Sequence, residues 1–291
     1  MFYKIGTLAK RFGITTQAIR FYEKQGLLVS QYEDSTTRRY HIRNLKWLSS
    51  IRRYHEMGFG MKEIQKLFLC ETPEAIKAQM DMHEEKLLAE IRERERMLAA
   101  VHRQKDDIER IERMLHTCIL EPSPILWLLI DQEGQHLDEA EEIKDVWENW
   151  IRELAFVYSA IIVDPEAIVT NSELSGRRSG YCVDESIALK LNLKRNDRVK
   201  RFDHPLCIHT ITQKAKGNKG NELHYILDYM NAHGLAFDGD AVGRCLCKVG
   251  EVNCQDDQVI PSAIYYEYWI PVKKVKIKDN LFLNLKLFCM V

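Results

Sequence analysis

The chain has 291 residues and a formal net charge of −1, and this length predicts two domains. Hydrophobic residues make up 45% and charged residues 29%, which is ordinary for a globular chain with a buried core. No apolar run approaches the roughly 20 residues that a membrane helix needs, and the N-terminus lacks the apolar core of a secretory signal. The eight cysteines are scattered and do not form a disulfide framework. We therefore expect a cytoplasmic protein with reduced thiols.

Charge is distributed unevenly along the chain. Residues 1–70 contain 13 Lys and Arg against 5 Asp and Glu, a net charge of +8. Residues 71–118 contain 9 against 12, and residues 119–291 contain 20 against 26. A basic head on an acidic body favours a nucleic-acid-binding module joined to a part that does not bind nucleic acid. A solvated basic face is the alternative that charge alone leaves open.

The basic head begins with two short amphipathic helices. Apolar residues recur at helical spacing in Lys4–Phe12, and Gly13 suits the turn that follows. A second helix is predicted to start at Thr15 or Thr16 as N-cap and to end at Gly26. Two short helices around a glycine-containing turn form a helix-turn-helix pattern.

The second helix carries polar side chains suited to DNA. It offers Thr16, Gln17 and Arg20 on one side, with Tyr22 near its end. Gln and Arg can read base edges, whereas Arg and Tyr can hold phosphates. Core packing is the alternative role for Tyr22.

A small hairpin with a donor-rich returning strand is predicted next. Its tip lies at 33–35, and the returning strand carries Thr37, Arg38, Arg39 and Tyr40, which suits a wing lying on the phosphate backbone. A third helix is predicted over 43–57 and a fourth over 61–69.

The sequence of this head closely resembles the winged DNA-binding domain of the MerR family. The resemblance covers about residues 3–69 in order and rests on IRFYEKQGLL, RRY and the GF-x-x-x-E-I step. It implies that the helix at 15–24 enters the major groove of promoter DNA. It also implies that Arg20, Tyr22, Arg39 and Tyr40 contact DNA, although Tyr40 also suits a structural role.

Residues 74–118 predict a long connecting helix. They contain no Gly, and apolar residues recur at two heptad positions, interrupted by polar ones. This pattern indicates a two-stranded coiled coil of modest stability, or a solvent-facing helix packed on its own domain. The family resemblance implies an antiparallel coiled coil and a homodimer that matches two half-sites on DNA. The break at 119–124 gives three predicted parts: a DNA-binding domain at 1–73, a dimerisation helix at 74–118 and an effector domain at 119–291.

The remainder of the chain predicts a mixed α/β domain, so the fold class of the whole chain is α+β. Strands are predicted at 125–131, 157–163, 180–183, 207–212, 241–249 and 263–272, with helices at 137–154 and 221–234. Strand, helix and strands occur twice in this order, which suggests tandem halves. After a MerR-like head, the order resembles the GyrI-like effector-binding domain of multidrug-responsive regulators of the BmrR type.

The segment YYEYWIPV supplies the candidate effector site. Because side chains alternate across a strand, Tyr265, Glu267 and Trp269 share one face and Tyr266 and Tyr268 the other. A carboxylate between large aromatic rings suits a flat apolar cation. The resemblance implies the same role for Glu267, while an exposed carboxylate beside sheet packing is the alternative.

The chain offers further candidates for the lining of this site. Secondary candidates are Trp127, Tyr181, Tyr225 and Tyr229, each of which also suits the core. The chain departs from multidrug regulators at Val242-Gly243-Arg244, where those proteins offer another acidic residue. Preference for a cationic drug is therefore in doubt.

The cysteines suggest a different kind of sensor. Cys245 and Cys247 are predicted to share a strand face that Cys254 can reach, which permits a soft-metal or redox site. Small buried residues on strands are the alternative, and we favour it.

Together these features predict a cytoplasmic, homodimeric transcriptional regulator rather than an enzyme, without a cofactor or metal. Its predicted partners are double-stranded promoter DNA, RNA polymerase at that promoter and a small-molecule effector, with no membrane partner. The resemblance implies that it bends and untwists promoter DNA. Two rivals stay open: a GyrI-like hydrolase that uses Glu267 with Tyr265 as base and donor, and a metal or redox sensor that uses the three cysteines.

Overall fold

The computed structural model describes residues 1–32, 38–134, 136–172, 178–215, 220–252 and 259–275. The chain folds as two compact units, Met1–Glu95 and Arg96–Val291. This division falls inside the long helix, whereas the sequence predicts a boundary near 119–124. The difference arises because the helix from Arg96 onward contacts the elements that follow it in the chain, as the ion pair between Arg96 and Glu153 shows.

The first unit contains short helices around a small sheet with strand order β1-β3-β2. Its elements are β1 (Phe2–Lys4), α1 (Ile5–Phe12), α2 (Thr16–Lys24), β2 (Ser30–Tyr32), β3 (Arg38–His41), α3 (Arg43–Glu56), α4 (Met61–Phe68) and the start of α5 (Pro73–Met114). The two helices of the helix-turn-helix and both following helices are confirmed within one or two residues, and the predicted hairpin is present as β2 and β3. The predicted hairpin tip at 33–35 lies outside the described residues.

One apolar cluster holds the first unit together. Ile19 of α2, Leu48 and Ile51 of α3 and Ile64 of α4 are fully buried in it. Each of them belongs to the apolar face that the helical spacing predicts. The exposed face of α2 is therefore fixed in orientation by its buried face.

The helix α5 is a single helix of 42 residues. The sequence predicts it over 74–118, and it ends four residues earlier, at Met114, after which Cys118 precedes a strand. No helix in the described ranges is long and apolar enough to cross a membrane.

The second unit is built on an antiparallel sheet with order β4-β10-β13-β12-β7-β8-β5-β6, in which β11 pairs with β13 and β9 with β5. Its strands are β4 (Ile119–Glu121), β5 (Leu126–Glu133), β6 (His136–Leu137), β7 (Tyr158–Val163), β8 (Arg178–Asp184), β9 (Val199–Phe202), β10 (Cys207–Ala215), β11 (Leu235–Phe237), β12 (Ala241–Val252) and β13 (Val259–Lys274). Its helices after α5 are α6 (Glu141–Trp150), α7 (Pro165–Val169), α8 (Glu185–Lys190) and α9 (Ile226–His233), with a 3₁₀ turn at Ile151–Glu153.

The sheet repeats one strand order on either side of its centre. In the first half the strands lie in the order β5-β8-β7, so β8, which comes last of the three along the chain, lies between the other two. In the second half, β10, β12 and β13 lie in the corresponding order β10-β13-β12. The strands β7 and β12 pair across the centre and join the two halves.

The two faces of the sheet have different coverings. Helices α6 to α9 pack on one face through apolar clusters that include Trp150 and Ile226. On the opposite face, Ile111 near the end of α5 packs on Ile211 and Leu246. The last turns of α5 therefore cover part of the face that the other helices leave open.

The predicted helices of the second unit are longer than the observed ones. The segment predicted over 137–154 forms an α-helix only over Glu141–Trp150, which the 3₁₀ turn at Ile151–Glu153 extends, and the segment 221–234 forms an α-helix only over Ile226–His233. The short helices α7 and α8 are not predicted, because five or six residues show too little periodicity to separate them from loops.

Candidate functional site

The polar face of α2 is the candidate DNA-reading surface. The Oγ1 atom of Thr15 caps the helix by accepting a hydrogen bond from the backbone N–H of Ala18, 3.1 Å away. Gln17 and Arg20 are exposed, whereas Thr16 is half-buried. A capped helix with a buried face presents these long polar side chains from a fixed base.

The aromatic candidates of the head lie in its core. Tyr22 is half-buried and packs against the apolar cluster. Tyr40 is fully buried, and its hydroxyl donates to Oε2 of Glu23 at 3.2 Å. The hydroxyl of Ser30 donates to the other oxygen of Glu23. The predicted DNA contact of Tyr40 is therefore wrong for this conformation, since its side chain fastens the hairpin to α2.

The remaining wing candidates are described only in part. Arg39 lies on β3 and is half-buried. Arg38 is described only through its backbone, and Thr37 lies outside the described residues.

In the second unit, Glu267 is fully buried at the centre of the sheet face that α5 covers. Its Oε2 atom accepts a hydrogen bond from Nε of Arg244 at 2.7 Å. Its Oε1 atom lies 3.1 Å from a guanidinium nitrogen of Arg110 and 2.9 Å from Nε2 of His209. The predicted acidic side chain is thus held by two guanidinium groups and one imidazole that the chain itself supplies.

These contacts belong to a closed ring of six charged side chains and one tyrosine. Arg110 donates hydrogen bonds to Glu267 and to Asp107, and Asp107 also accepts one from the hydroxyl of Tyr158. Arg103 donates to the oxygen of Tyr158 and to Asp184. Arg244 donates to Asp184 and to Glu267, which closes the ring. Three guanidinium groups balance three carboxylates, so the ring carries no net charge. Buried charges are tolerated when they are paired and hydrogen-bonded in this way.

The helix α5 supplies almost half of the ring. Arg103, Asp107 and Arg110 are spaced by four and three residues, which places them on one face of the helix. Asp107 is fully buried, whereas Arg103 and Arg110 keep 21% and 27% of their side-chain surface exposed. The ring therefore reaches solvent through the helix.

Arg244 lies between two aromatic rings. Its Cζ atom is 4.9 Å from the ring centroid of Tyr158 and 4.9 Å from that of Trp269. Trp269 is also stacked on His209, at 5.2 Å with an interplanar angle of 13°. Aromatic faces attract a guanidinium group through their negative quadrupole, and this attraction adds to that of the carboxylates.

The surroundings of Glu267 fix its charge state. Burial by itself raises the pKa of Glu267, but the hydrogen bond from His209 and the guanidinium groups of Arg244 and Arg110 lower that pKa to about 2. A carboxylate with such a low pKa is a poor general base near neutral pH. The arrangement therefore does not favour the hydrolase rival with Glu267 as base.

This charge state predicts a loss of stability in acid. The folded-state pKa of Glu267 lies below its ordinary value of 4.5, so its ionisation stabilises the fold above about pH 4.5. That stabilisation, roughly 3 kcal/mol, is lost as the pH falls towards 2. Urea unfolding followed over this pH range checks it, because the difference between wild type and Glu267→Gln narrows as the pH falls. A constant difference would show that Glu267 does not titrate as described.

The structure gathers only some of the predicted lining residues around Glu267. Tyr265 and Trp269 lie on its face of the sheet, as alternation predicts. The four secondary candidates pack on the opposite face, so their assignment to one site with Glu267 is wrong. Trp127 and Tyr181 belong to the cluster beneath α6, and Tyr225 and Tyr229 pack on the cluster beneath α9.

Sequence reasoning missed most of the ring. The spacing of Arg103, Asp107 and Arg110 is a recognisable signal of one helix face, but the face that meets the sheet cannot be read from spacing alone. The sequence places Tyr158 near the start of a strand, yet its partner across the sheet depends on register. Arg244 stands out in the sequence only as a departure from an acidic pattern.

The cysteine site does not assemble in the described part of the chain. An irregularity in β12 between Cys245 and Cys247 places Cys245 opposite Tyr266 and Cys247 opposite Tyr265. The two thiols therefore lie on opposite faces, and the predicted shared face is wrong. Burial raises the pKa of both thiols, which lowers their thiolate fraction. Cys254 lies outside the described residues, and within them no three potential ligands cluster as a metal site.

Comparisons with known proteins place the head in one family. A family model described as the MerR HTH family regulatory protein matches residues 3–69. A mercuric resistance operon regulatory protein of Bacillus cereus is 31% identical over 116 residues, which cover 40% of this chain and 81% of that protein. A homolog of the transcriptional activator SoxR from Chromobacterium violaceum is 43% identical over 60 residues, which cover 21% of this chain and 40% of that protein.

A solved structure of a MerR-family transcriptional regulator from Bacillus cereus is also similar. The two chains are 28% identical over a match that covers 39% of this chain and 87% of the other, with a TM-score of 0.34. Because that score is low, the relationship rests on the sequence matches.

Proposed function

Because the chain belongs to the MerR family of helix-turn-helix regulatory proteins, we propose that this DNA-binding transcriptional regulator distorts promoter DNA in response to a small molecule. The observation that carries the proposal is the polar face of α2, with Gln17 and Arg20 exposed on a helix whose other face is buried. A basic first unit supplies the attraction for phosphates. We place its action in the cytoplasm, at promoter DNA and with RNA polymerase as a partner there.

Direct reading of bases is assigned to the exposed part of α2. Gln and Arg match the hydrogen-bonding edges of adenine and guanine in the major groove. Thr16 at the start of the helix suits a phosphate contact. The wing residues Arg38 and Arg39 are assigned to the backbone of the adjacent groove, while Tyr22 and Tyr40 position α2 and the hairpin.

A homodimer is proposed from the surface of α5. Apolar side chains at the two predicted heptad positions are exposed in the single chain, and these are Leu87, Ile91, Leu98, Val101 and Ile108. An exposed apolar stripe along a helix favours a partner helix. A second copy of the chain supplies one and also doubles the DNA half-sites.

This proposal predicts how the chain recognises DNA. Selection from a random duplex pool is expected to enrich a two-fold-symmetric site that the full chain binds as a dimer. Replacing Ile91 and Leu98 together by Glu places like charges along the stripe. We expect that variant to be monomeric by analytical ultracentrifugation and to bind the selected site at least about tenfold more weakly, because one half-site contact is lost.

Replacing two exposed side chains on the same helix, Glu85 and Arg92, by Ala controls for general effects on α5. These two residues are seven positions apart and lie outside both apolar heptad positions, and their joint removal leaves the net charge unchanged. That variant is expected to stay dimeric and to keep its affinity. Enrichment of a single asymmetric half-site, or a dimer that survives both Glu substitutions, would contradict this part of the proposal.

The second unit is proposed as the effector-binding part. The repeated strand order in its two halves suits a GyrI-like domain with a ligand site on the sheet face opposite to α6–α9. Tyr265, Glu267 and Trp269 lie on that face, and so do the last turns of α5. A small molecule that binds there changes the energy of the contacts between helix and sheet.

The helix α5 is the proposed route of the signal. In the first unit, His83 of α5 stacks on Phe59 at 3.8 Å and lies 3.0 Å from the carbonyl oxygen of Met57. In the second unit, Arg103, Asp107 and Arg110 of the same helix form part of the charged ring. The effector has to bind the activating arrangement of the protein more tightly than the resting one, since otherwise it does not change the populations of the two arrangements. The promoter distortion that the activating arrangement favours costs on the order of 1–6 kcal/mol.

A further inference from the structure

The surroundings of Arg244 are those of a cation-binding site. Two aromatic rings at 4.9 Å flank its guanidinium group, and Glu267 and Asp184 accept its hydrogen bonds at 2.7 and 3.4 Å. Aromatic faces combined with carboxylates recognise free organic cations by the same interactions. In this chain the cation is a side chain.

Arg244 itself occupies the position between the two aromatic rings and the carboxylates that a free cation would need. The residue is only 5% exposed, and Glu267 and Asp107 are fully buried. The remaining oxygen of Glu267 is already bound by Arg110 and His209. Because each carboxylate of the ring is already paired with a guanidinium group of the ring, an added cation would be buried there without a carboxylate of its own, which is strongly unfavourable.

We propose that Arg244 determines the effector specificity of the second unit, acting as a resident guanidinium that occupies the aromatic cage and excludes free organic cations. The effector class is then restricted to neutral or anionic molecules. This inference rests on the proposed function, since it concerns the effector site of that regulator. Removal of Arg244 is also expected to open a site for a guanidinium ion in the chain by itself, whether or not the chain binds DNA.

The test replaces Arg244 by Ala in the full chain and adds ethylguanidinium, which restores the atoms that the substitution removes. N-ethylurea has nearly the same shape and no charge, so it is the matched control compound. Arg178→Ala is the control variant, because Arg178 pairs with Asp240 at 2.5 Å on the same sheet but is 41% exposed. The double variant Arg244→Ala with Glu267→Gln tests whether the carboxylate holds the added ion.

The expected result is that ethylguanidinium raises the melting temperature of Arg244→Ala by about 2–4 °C near saturation. N-ethylurea leaves that melting temperature unchanged. Neither compound stabilises wild type or Arg178→Ala, and the double variant loses the response. A response of Arg244→Ala no larger than that of Arg178→Ala would overturn the proposal.

A second measurement uses wild type and does not depend on whether Arg244→Ala folds. Equilibrium dialysis with tetraphenylphosphonium, a lipophilic cation, is expected to show no saturable binding to wild type. Saturable binding that Glu267→Gln abolishes would show that the cage is open to free cations and would overturn the proposal.

Binding of wild type to the selected two-fold-symmetric DNA is measured in the same preparations. If wild type binds that DNA but the guanidinium response is absent, the specificity inference fails and the proposed function stands. If the response is present but no such DNA is bound, the proposed function fails and the role of Arg244 as resident cation stands.

Discussion

Replacing Glu267 by Ala is expected to lower the free energy of unfolding of the second unit by about 3–5 kcal/mol. The substitution removes one partner of a buried charged ring and leaves Arg244 without its nearest carboxylate. Arg244 is 5% exposed and does not regain water without a local opening of the sheet. A buried cation without its counter-ion costs far more than an exposed one.

Tryptophan fluorescence in urea measures this loss, because four of the five Trp residues belong to the second unit. The transition of that unit is followed by itself, since a chain with two units need not unfold in one step. Glu141→Ala is the matched control. Glu141 is 87% exposed and pairs with Lys144 on its own helix, so its removal is expected to change stability by less than about 0.5 kcal/mol.

Replacing both Arg244 and Glu267 by apolar residues separates the cost of leaving one buried charge unpaired from the other effects of each substitution. If the ring is held by its charges, Arg244→Met combined with Glu267→Leu costs less than the two single substitutions added together. Additive losses, or a Glu267→Ala variant as stable as Glu141→Ala, would contradict the described ring.

Replacing Arg20 by Ala is expected to weaken binding to the selected DNA site by about 1–3 kcal/mol, a factor of about 5 to 150. Arg20 is exposed on α2, and its neighbour Ile19 is fully buried, so the substitution removes a DNA contact without disturbing the core. The loss is largest if Arg20 binds guanine through two hydrogen bonds. Selectivity at one base position then relaxes as affinity falls.

Fluorescence anisotropy at several salt concentrations measures this effect. Lys77→Ala is the control, because it removes one exposed positive charge from α5 rather than from α2. A uniform loss on all sequences with a salt slope smaller by about one would reassign Arg20 to a phosphate. An affinity equal to that of Lys77→Ala would remove Arg20 from the DNA-reading surface.

The first unit was predictable from sequence because its signals are local. Helical spacing, the N-cap at Thr15 and the glycine turns determine each short helix within a few residues. Tyr40 shows the limit of this reasoning. A tyrosine beside two arginines on a returning strand suggests a DNA contact, but its burial depends on how the hairpin packs on α2.

The second unit was predictable in its strands and much less so in its site. Alternation places Glu267 and Trp269 on one face, which the structure confirms. The companions of Glu267 come from β7, β10, β12 and α5, and pairing between segments distant in sequence depends on register. An irregularity of one residue in β12 moves Cys247 to the face opposite to Cys245.

Arg244 shows how a departure from a pattern can carry information. In the sequence, Arg244 replaces an acidic residue of the multidrug regulators, which argues against a cationic effector but does not show where its guanidinium group lies. In the fold it lies between Tyr158 and Trp269, in the space where such an effector is expected. The same aromatic and acidic residues that suggest a ligand site therefore bind a side chain of the protein.

The most direct test of a regulator that distorts promoter DNA is resonance energy transfer between the two ends of a duplex that contains the selected site. Saturation with the full chain is expected to bring the ends closer together, and a scrambled duplex of equal length is expected to stay straight. A specific, saturated complex with no change in end-to-end distance would contradict promoter distortion as the mechanism.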